Sequence, residues 1–435
     1  MTKISRTTDM TQGSEMRHII MFSLPLLAGN LLQQTYNIVD TMVVGRYLGD
    51  DALAAVGATG SITYLFYTLC IGLSVGAGII VAQYFGAGKK KALRSAVFNS
   101  ALVTAIFGIV ISLLSVPAAR PILELLKVPD KLIGDSAVYM QIACGGTIAV
   151  AAYNWINAIM RALGDSKTPL IFLGAASLLN ALLDLLFVVV FKFGIAGAAW
   201  ATVLTQALSA ISCIVYCFAV SGEIKLTADD LHADKDMMSR CVKTGVPIAI
   251  QNGLISVSMV ALQRVTNGFG ETVMAAYTVS MRIEQFVQQP FSSLNAAVST
   301  FTGQNIGAVQ EKRAQKGLAC AIKISVIFSA VVLVLFTLFG GAITSWFVKG
   351  KTVISISAKA LNLTFLLVAG YYPHHKGLFE RRRRYKLCPC KRHGGGNMQD
   401  RSFTYPHKDS FHRLLGHMVH HRCNVVRDSY GGFMP

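Results

Sequence analysis

Charge is scarce in this chain. Only 14% of its 435 residues are Asp, Glu, Lys or Arg, whereas a soluble protein carries about 25%. That shortage excludes an ordinary globular enzyme, whose surface needs more ionic groups to stay in water. A cleavable leader is not expected either. The first 17 residues are polar, and no small-residue cleavage site follows the first apolar stretch. The nine cysteines form no disulfide framework, because those before position 370 fall singly within apolar segments, where a small buried side chain is the ordinary explanation.

What the chain has instead is apolar length, at 53% hydrophobic residues. About 20 apolar residues cross the roughly 30 Å of hydrocarbon in a bilayer. Windows of this kind fall at 18–42, 53–83, 95–117, 136–160, 168–191, 195–219, 241–267, 273–301, 317–347 and 353–372. The expected fold is an all-α polytopic membrane protein. Lys and Arg concentrate at the N-terminus, in GKKKALR (88–94), RALGDSKTP (161–169), the 221–243 linker and AVQEKRAQK (308–316). The positive-inside rule then puts the N-terminus and these links on the cytoplasmic side of the cell membrane.

The spans repeat. LPLLAGNLLQQ (24–34) answers to VPIAIQNGLIS (246–256), and Pro25 and Pro247 are 222 apart. Gly49 and Gly270, Gln83 and Gln304, and Gly86 and Gly307 are each 221 apart. This offset covers six spans, an even number, so both halves cross in the same sense. They form parallel repeats about an axis along the membrane normal, an architecture that transporters use for alternating access. The expected organisation is a cytoplasmic N-terminus (1–17), an N-lobe of six spans (18–220), a cytoplasmic hinge-like linker (221–243) and a partial C-lobe of about four spans (244–373).

Residues 374–435 break the pattern. They hold eight of the ten histidines and 13 of the 40 Lys and Arg, against four acids, and no window able to span. A nucleic-acid or lipid-binding tail and a zinc site at Cys388 and Cys390 are two readings, but the cysteine–histidine spacing fits no familiar zinc arrangement. An out-of-frame translation is the third. LFERRRRYKL (378–387) can be encoded by CTC TTT GAA CGG CGC AGG CGA TAC AAA CTA. Shifted by one nucleotide, these codons read Ser-Leu-Asn-Gly-Ala-Gly-Asp-Thr-Asn. The first half has MRALGDSKT (160–168), and its Asp165 plus the 221 offset lands within two residues of the shifted Asp. The tail is therefore read as out of frame, the intact design as twelve spans of which about ten remain, and nucleic acid is not an expected partner.

Ionisable groups within the apolar spans are few. Asp40 lies in YNIVDTMVVG, and Asn180 and Asp184 lie four apart in NALLDLL, on one helix face. Thr202 lies in GAAWATVLTQ beside Ala198 and Ala199, small residues that let helices approach closely. Tyr36 shares the face of Asp40, and Tyr139, Asn154 and Asn157 add polar groups on the fourth span. Interhelical hydrogen bonds explain most of these taken singly. Two acids with no Lys or Arg at similar depth are harder to explain so, because a charge at the centre of a span costs about 2.5–3.5 kcal/mol. Such a pair suits reversible protonation, and with the amide and hydroxyl oxygens it suits Na⁺. The second half has no mirror of the pair, since Leu262 stands where Asp40 would repeat. It offers Gln251, Asn252 and Glu284 as candidate cavity residues.

These residues resemble the MATE family of multidrug and toxic compound extrusion antiporters. The resemblance rests on Pro25 with NIVDTMVVGRYLG, QYFGAGKKKA, RALGDSKTP and LNALLDLLFVVVFKFGIAGAAWATVLTQ, and it covers about 20–372. It implies twelve helices in two lobes and export of organic cations or drugs in exchange for H⁺ or Na⁺. It also implies no further cofactor and no catalysis. Asp40, Asn180, Asp184 and Thr202 then correspond to the N-lobe cation site, with Tyr36, Tyr139 and Asn157 around it. The glutamate that some members carry in the seventh helix has no counterpart in PIAIQNGLISVSM. The expected partners are small organic substrates and the bilayer, and the expected state is a monomer. A lipid-linked oligosaccharide flippase would line its cavity with Arg and Lys, which the first-half spans almost lack. A carboxylate-dyad intramembrane enzyme is the other alternative. Sequencing the gene around the codons for Pro373 and His374 is expected to reveal a one-nucleotide change of frame; an unbroken frame would remove the out-of-frame reading.

Overall fold

The computed structural model describes residues 7–364, except 127, 221–223, 228–229, 268, 270 and 349. The basic segment 374–435 and the inferred change of frame lie outside the described residues. The helices are α1 (Glu15–Leu48), α2 (Asp50–Gly86), α3 (Lys90–Leu125), α4 (Asp130–Gly145), α5 (Thr147–Ala162) and α6 (Lys167–Asp184). A π-helical segment, Leu185–Val190, continues α6. Then come α7 (Gly194–Val220), α8 (Lys235–Asn267), α9 (Glu271–Gly307), α10 (Glu311–Ser345) and a helix α11 over 351–364. No strand occurs among the described residues.

Nine of the apolar windows fall within these helices or overrun their ends by no more than about two residues, while the last, 353–372, runs on past residue 364 outside the described residues; one window differs in form. The window 136–160 is not a straight span but a pair, α4 and α5, bent by 43°. The bend sits at Gly145 and Gly146, where the missing side chains let the helix break. The side chain of Val203 from α7 fills the space that a Cβ on Gly146 would need. α2, α3, α6 with its π-helical segment, α7 and α10 are each long and apolar enough to cross a membrane, and the bent pair makes a sixth candidate. α1, α8 and α9 are as long, at 34, 33 and 37 residues, but more polar, and each contains a proline. Large apolar side chains cover the outside. Leu113, Leu114, Leu178, Val215 and Leu338 are all exposed, a pattern that water penalises and lipid accepts.

The repeat seen in the sequence returns in the helix boundaries. α2 and α9 have 37 residues each, and α3 and α10 have 36 and 35. The turns correspond too. Gly88 after α2 has φ +66, and Val309, its counterpart after α9, has φ +59. Glycine occupies that left-handed region freely, whereas a β-branched residue is strained there.

The described residues form two compact units, one of 7–260 with 286–321, the other of 261–285 with 322–364. The core of the first is built on α2, α3, α5 and α7 around Leu73, Val81, Val97, Ile156, Ile159 and Cys213. The segment before α8 is pinned to α3. Arg94 pairs with Asp230 at 3.6 Å. Asn99 receives the Asp234 N–H at 2.8 Å and donates to the His232 carbonyl. The hydroxyl and N–H of Thr227 hold the Asp230 carboxyl below the usual carboxylate range. In the second unit Ala276, Ile356 and Ala360 pack with Leu262, and Ser357 bonds the Ala276 carbonyl.

Within the first unit α2 and α9 cross at the matched motifs. A Cβ on Gly86 would collide with the Gln304 carbonyl, and one on Gly307 would collide with the Gln83 carbonyl. The two halves thus meet through the same three-residue spacing, Gln to Gly, each glycine against the other's glutamine backbone. Overpacking of this kind costs about 1–3 kcal/mol. Gly307→Ala is therefore expected to lower the thermal unfolding midpoint of the detergent-solubilised protein. Val309→Gly, at a position 75% exposed, is expected to raise it by relieving about 1 kcal/mol of strain. Equal midpoints for the two variants would contradict both arguments.

Candidate functional site

The sequence candidates converge on one place, the interior bounded by α1, α4, α5, α6 and α7. Asp40 lies on α1 and Asp184 is the last α-helical residue of α6. Their carboxyl groups adjoin and interact directly. Asp184 is fully buried, at 0% exposure. Asp40 Oδ1 and both carboxyl oxygens of Asp184 lack a hydrogen-bond partner of good geometry. Among the described residues no Lys or Arg pairs with either acid. Buried polar groups almost always have partners, so three carboxyl oxygens without one in the same place form a markedly unsatisfied spot.

Local structure explains how the acid of α6 arrives there. The helix widens to π immediately after Asp184, a local change often found at functional sites. Leu185 N–H is shared between the Ala181 and Leu182 carbonyls at the transition. Asn180 precedes Asp184 by one turn and is also buried, its Nδ2 without a partner. On α1, Tyr36 precedes Asp40 by one turn. Both Tyr36 and Tyr139 of α4 lie close enough to feel the charges of both acids.

Two environments flank the pair. Val43 and Val44 of α1, Ala52 and Ala55 of α2, Val188, and Ile195 with Ala198 of α7 form an apolar wall that includes part of Tyr139. On the other side, toward the end of the bundle that carries Arg161 and Lys167, lies a cavity of about 30 Å³. That volume holds one or two waters or a small cation. Tyr36, Asn180 and Thr202 line it, together with Gln33, Tyr153, Ser177, Thr205, Gln206 and Ser209. Asn157 adjoins Tyr153, and its Oδ1 is another buried atom without a partner. Thr205 Oγ1, Gln206 Oε1 and Ser209 Oγ are further ones.

The structure therefore brings together Asp40, Asp184, Asn180, Thr202, Tyr36, Tyr139 and Asn157. Asn154 is half-buried, and its amide donates to the Val150 carbonyl of its own helix at 2.8 Å. In the second half Gln251 is exposed and Asn252 half-buried on α8 in the first unit. Glu284 is half-buried on α9 in the second unit.

Sequence reasoning missed Gln33, Tyr153, Ser177, Thr205, Gln206 and Ser209. A signal for them existed. Gln33, Tyr36 and Asp40 are spaced by three and four, as are Ser177, Asn180 and Asp184. Thr202, Thr205 and Ser209 follow the same rule, and Tyr153 lies four before Asn157. Each helix thus presents a polar stripe of helical period; only some members of each stripe had been singled out.

The arrangement can exchange a positive charge. Ionised, the two carboxyl groups repel and lack compensation; a proton or monovalent cation between them removes both penalties. Among the described residues no cluster of three or more His, Cys, Asp and Glu suits a transition metal. Asp184→Asn is expected to stabilise the protein against thermal unfolding by about 1–3 kcal/mol, since the amide can donate to Asp40 and like-charge repulsion disappears. A lower midpoint for this variant would contradict the geometry described.

Comparison with known proteins gives a consistent picture. The family model described as MatE matches residues 25–186 and again 247–376. The probable multidrug resistance protein YoeA of Bacillus subtilis is 31% identical over 365 residues, covering 82% of this chain and 79% of that protein. YpnP of the same organism, also a probable multidrug resistance protein, is 31% identical over 307 residues, covering 70% and 68%. The probable multidrug resistance protein NorM of Thermotoga maritima is 24% identical over 348 residues, covering 78% and 74%. Among solved structures, a MOP superfamily transporter from Pyrococcus furiosus superposes with a TM-score of 0.77 at 23% identity, covering 83% of this chain and 82% of that one. An outward-facing multidrug resistance MATE family transporter gives 0.77 and 23%, covering 84% and 82%. At such identity the structural match speaks for the fold.

Proposed function

Because the chain belongs to the MatE family, and is by that membership a membrane transporter rather than an enzyme, we propose that it is built as an antiporter that exports organic cations or drugs in exchange for H⁺ or Na⁺. The names of its relatives support the class of cargo. The observation that carries the coupling is the Asp40–Asp184 pair, half-buried and fully buried respectively, without a basic partner among the described residues and one helical turn from the small cavity lined by Tyr36 and Asn180. A charge so placed is tolerable when a cation comes and goes. Thr202 and Asn180 offer the additional oxygens for Na⁺, and Tyr36 and Tyr139 flank the pair.

The mechanism follows from differential affinity. A cation that binds the pair better in one conformation of the bundle shifts the equilibrium toward it, by the ratio of the two affinities and no more. With the pair neutralised, the cost of closing the apolar wall and cavity around it falls. With the pair ionised, the bundle favours a conformation that hydrates it. Alternating occupancy by cation and cargo then drives the cycle. A flippase acting on a pyrophosphate-linked lipid would need cations in its cavity, and the lining named above has neither Lys nor Arg. We place this cycle in the cell membrane, with the N-terminus in the cytoplasm and a single chain as the working unit.

The lobes are proposed as 18–220 and 244–373, joined by 221–243, with 374–435 out of frame. The family match supports this reading. Its first copy runs from 25 to 186, and its second begins 222 residues later but stops at 376 instead of reaching the corresponding 408. Loss of the last helices would leave interior surfaces facing lipid, so the chain as written is expected to express poorly and transport nothing.

The test is efflux of a fluorescent organic cation from drug-sensitive cells that carry the gene with its frame restored. Asp40→Asn and Asp184→Asn are each expected to lower the efflux rate at least about tenfold, a change of about 1.4 kcal/mol or more in the driving step. Imposing pH and Na⁺ gradients separately on vesicles identifies the coupling ion. Unchanged efflux in both variants would eliminate the pair as the coupling site.

A further inference from the structure

The N-terminal segment ahead of α1 is not a loose leader into the first span. Met10 is 1% exposed, and both of its backbone polar groups are used. Its N–H donates to Gln304 Oε1 at 2.9 Å. Its carbonyl accepts from Asn305 Nδ2 at 3.2 Å and from the guanidinium of Arg313 at 3.3 Å. Arg313 also donates to the Gln12 carbonyl at 2.9 Å, pairs with Glu15 at 3.4 Å and stacks its guanidinium over Phe301 at 5.5 Å. Gln304 completes the knot by donating from Nε2 to the Ala162 carbonyl at 2.9 Å. Thr8 lies so close to Gly164, which has φ +82, that no other residue fits there.

We propose that Gln304 and Arg313 clasp the segment 8–15 across the α2–α9 crossing and so hold this end of the transport path shut. Gln304 belongs at once to the crossing, through its carbonyl against Gly86, and to the clasp, through its side chain. One buried amide therefore ties together the end of α9, the end of α5 and the strand of chain that leads into α1. At the crossing Gly86 and Gly307 each meet the other helix's backbone. The clasp adds directional bonds there.

The repeat strengthens this reading. The segment before α8 is the counterpart of the segment before α1, and it is held in the corresponding way by the first half, through Arg94 to Asp230 and Asn99 to Asp234 and His232. Each half thus holds the leading segment of the other. Opening at this end requires α9 to leave α2, and the Arg313–Met10 and Gln304–Met10 bonds cannot stretch to follow. Gln304 and Arg313 are in this sense positioning residues, which touch no cargo and set which state is favoured. The inference rests on the transporter reading only for what the opening serves; the clasp is measurable without cargo or coupling ion.

The test uses the full 435-residue chain in lipid nanodiscs, with ketone-bearing residues at the exposed positions Lys89 and Val309, spin-labelled for pulsed electron paramagnetic resonance. The unmodified clasp is expected to give one short distance. Arg313→Ala and Gln304→Leu are each expected to add a longer population of at least about a tenth of the molecules, the size of a minor state that becomes visible. Lys312→Ala, one residue away and exposed, is expected to add none, and Arg313→Lys to restore most of the short distance. A second label pair along α3, at Lys89 and Leu125, reports whether the bundle stays folded. Where it does not, deletion of residues 2–12, which removes the clasped segment and lies outside every helix, decides in place of the failed variant. A single unchanged distance in the clasp variants overturns the proposal, and it does so whether or not Asp40→Asn and Asp184→Asn abolish efflux.

Discussion

Two carboxyl groups that adjoin in an apolar bundle, with no base to answer them, impose the constraint from which the rest of this structure follows. Taking a carboxylate out of water costs several kcal/mol even after relaxation, and the neighbouring acid adds repulsion. Elsewhere in the chain buried acids are answered. Asp165 accepts from the Thr168 hydroxyl at 2.6 Å and from the backbone at the start of α6. Asp230 has Thr227 and Arg94. Asp40 Oδ1 and both carboxyl oxygens of Asp184 lack such partners, and the small cavity begins one helical turn away at Tyr36 and Asn180. The surrounding architecture fits that demand, with valine and alanine closing one side, hydroxyls and amides opening the other, and a π-helical segment setting the acid of α6 at the boundary.

The asymmetry between the halves has the same origin. Duplicated helices keep their lengths and turns because length is set by the membrane and turns by glycine geometry. They need not keep their buried charge. Leu262 replaces Asp40's counterpart and sits in an apolar cluster with Ala276 and Ile356, so the second unit has no matching acid on this helix. Coupling by one site per chain needs only one such pair. What both halves retain is the Gln-to-Gly spacing at the crossing of α2 and α9, where the repeats touch and neither can change without the other.

The sequence by itself determined the class of protein, the placement of its helices and the parallel repeat. Hydropathy and glycine spacing are local quantities, and Gly86 and Gly307, which end α2 and α9, stood out as a matched pair 221 apart. It also picked out the acids, because an ionisable residue in an apolar window stands out without knowledge of its neighbours. It did not reveal the bend at Gly146, which depends on Val203 from a distant helix. It did not reveal that Asn154 bonds its own helix backbone while Asn157 lies buried against Tyr153. The polar stripes of Gln33, Ser177, Thr205 and Ser209 were present as spacing but meaningful only once four helices faced one another. The knot at Met10 was invisible, since nothing in a polar leader announces that Gln304 and Arg313, about three hundred residues later, will bind its backbone. Burial and periodicity are written along the chain; which faces meet is decided only when distant helices pack, because that choice is made by pairwise fit and not by any residue alone.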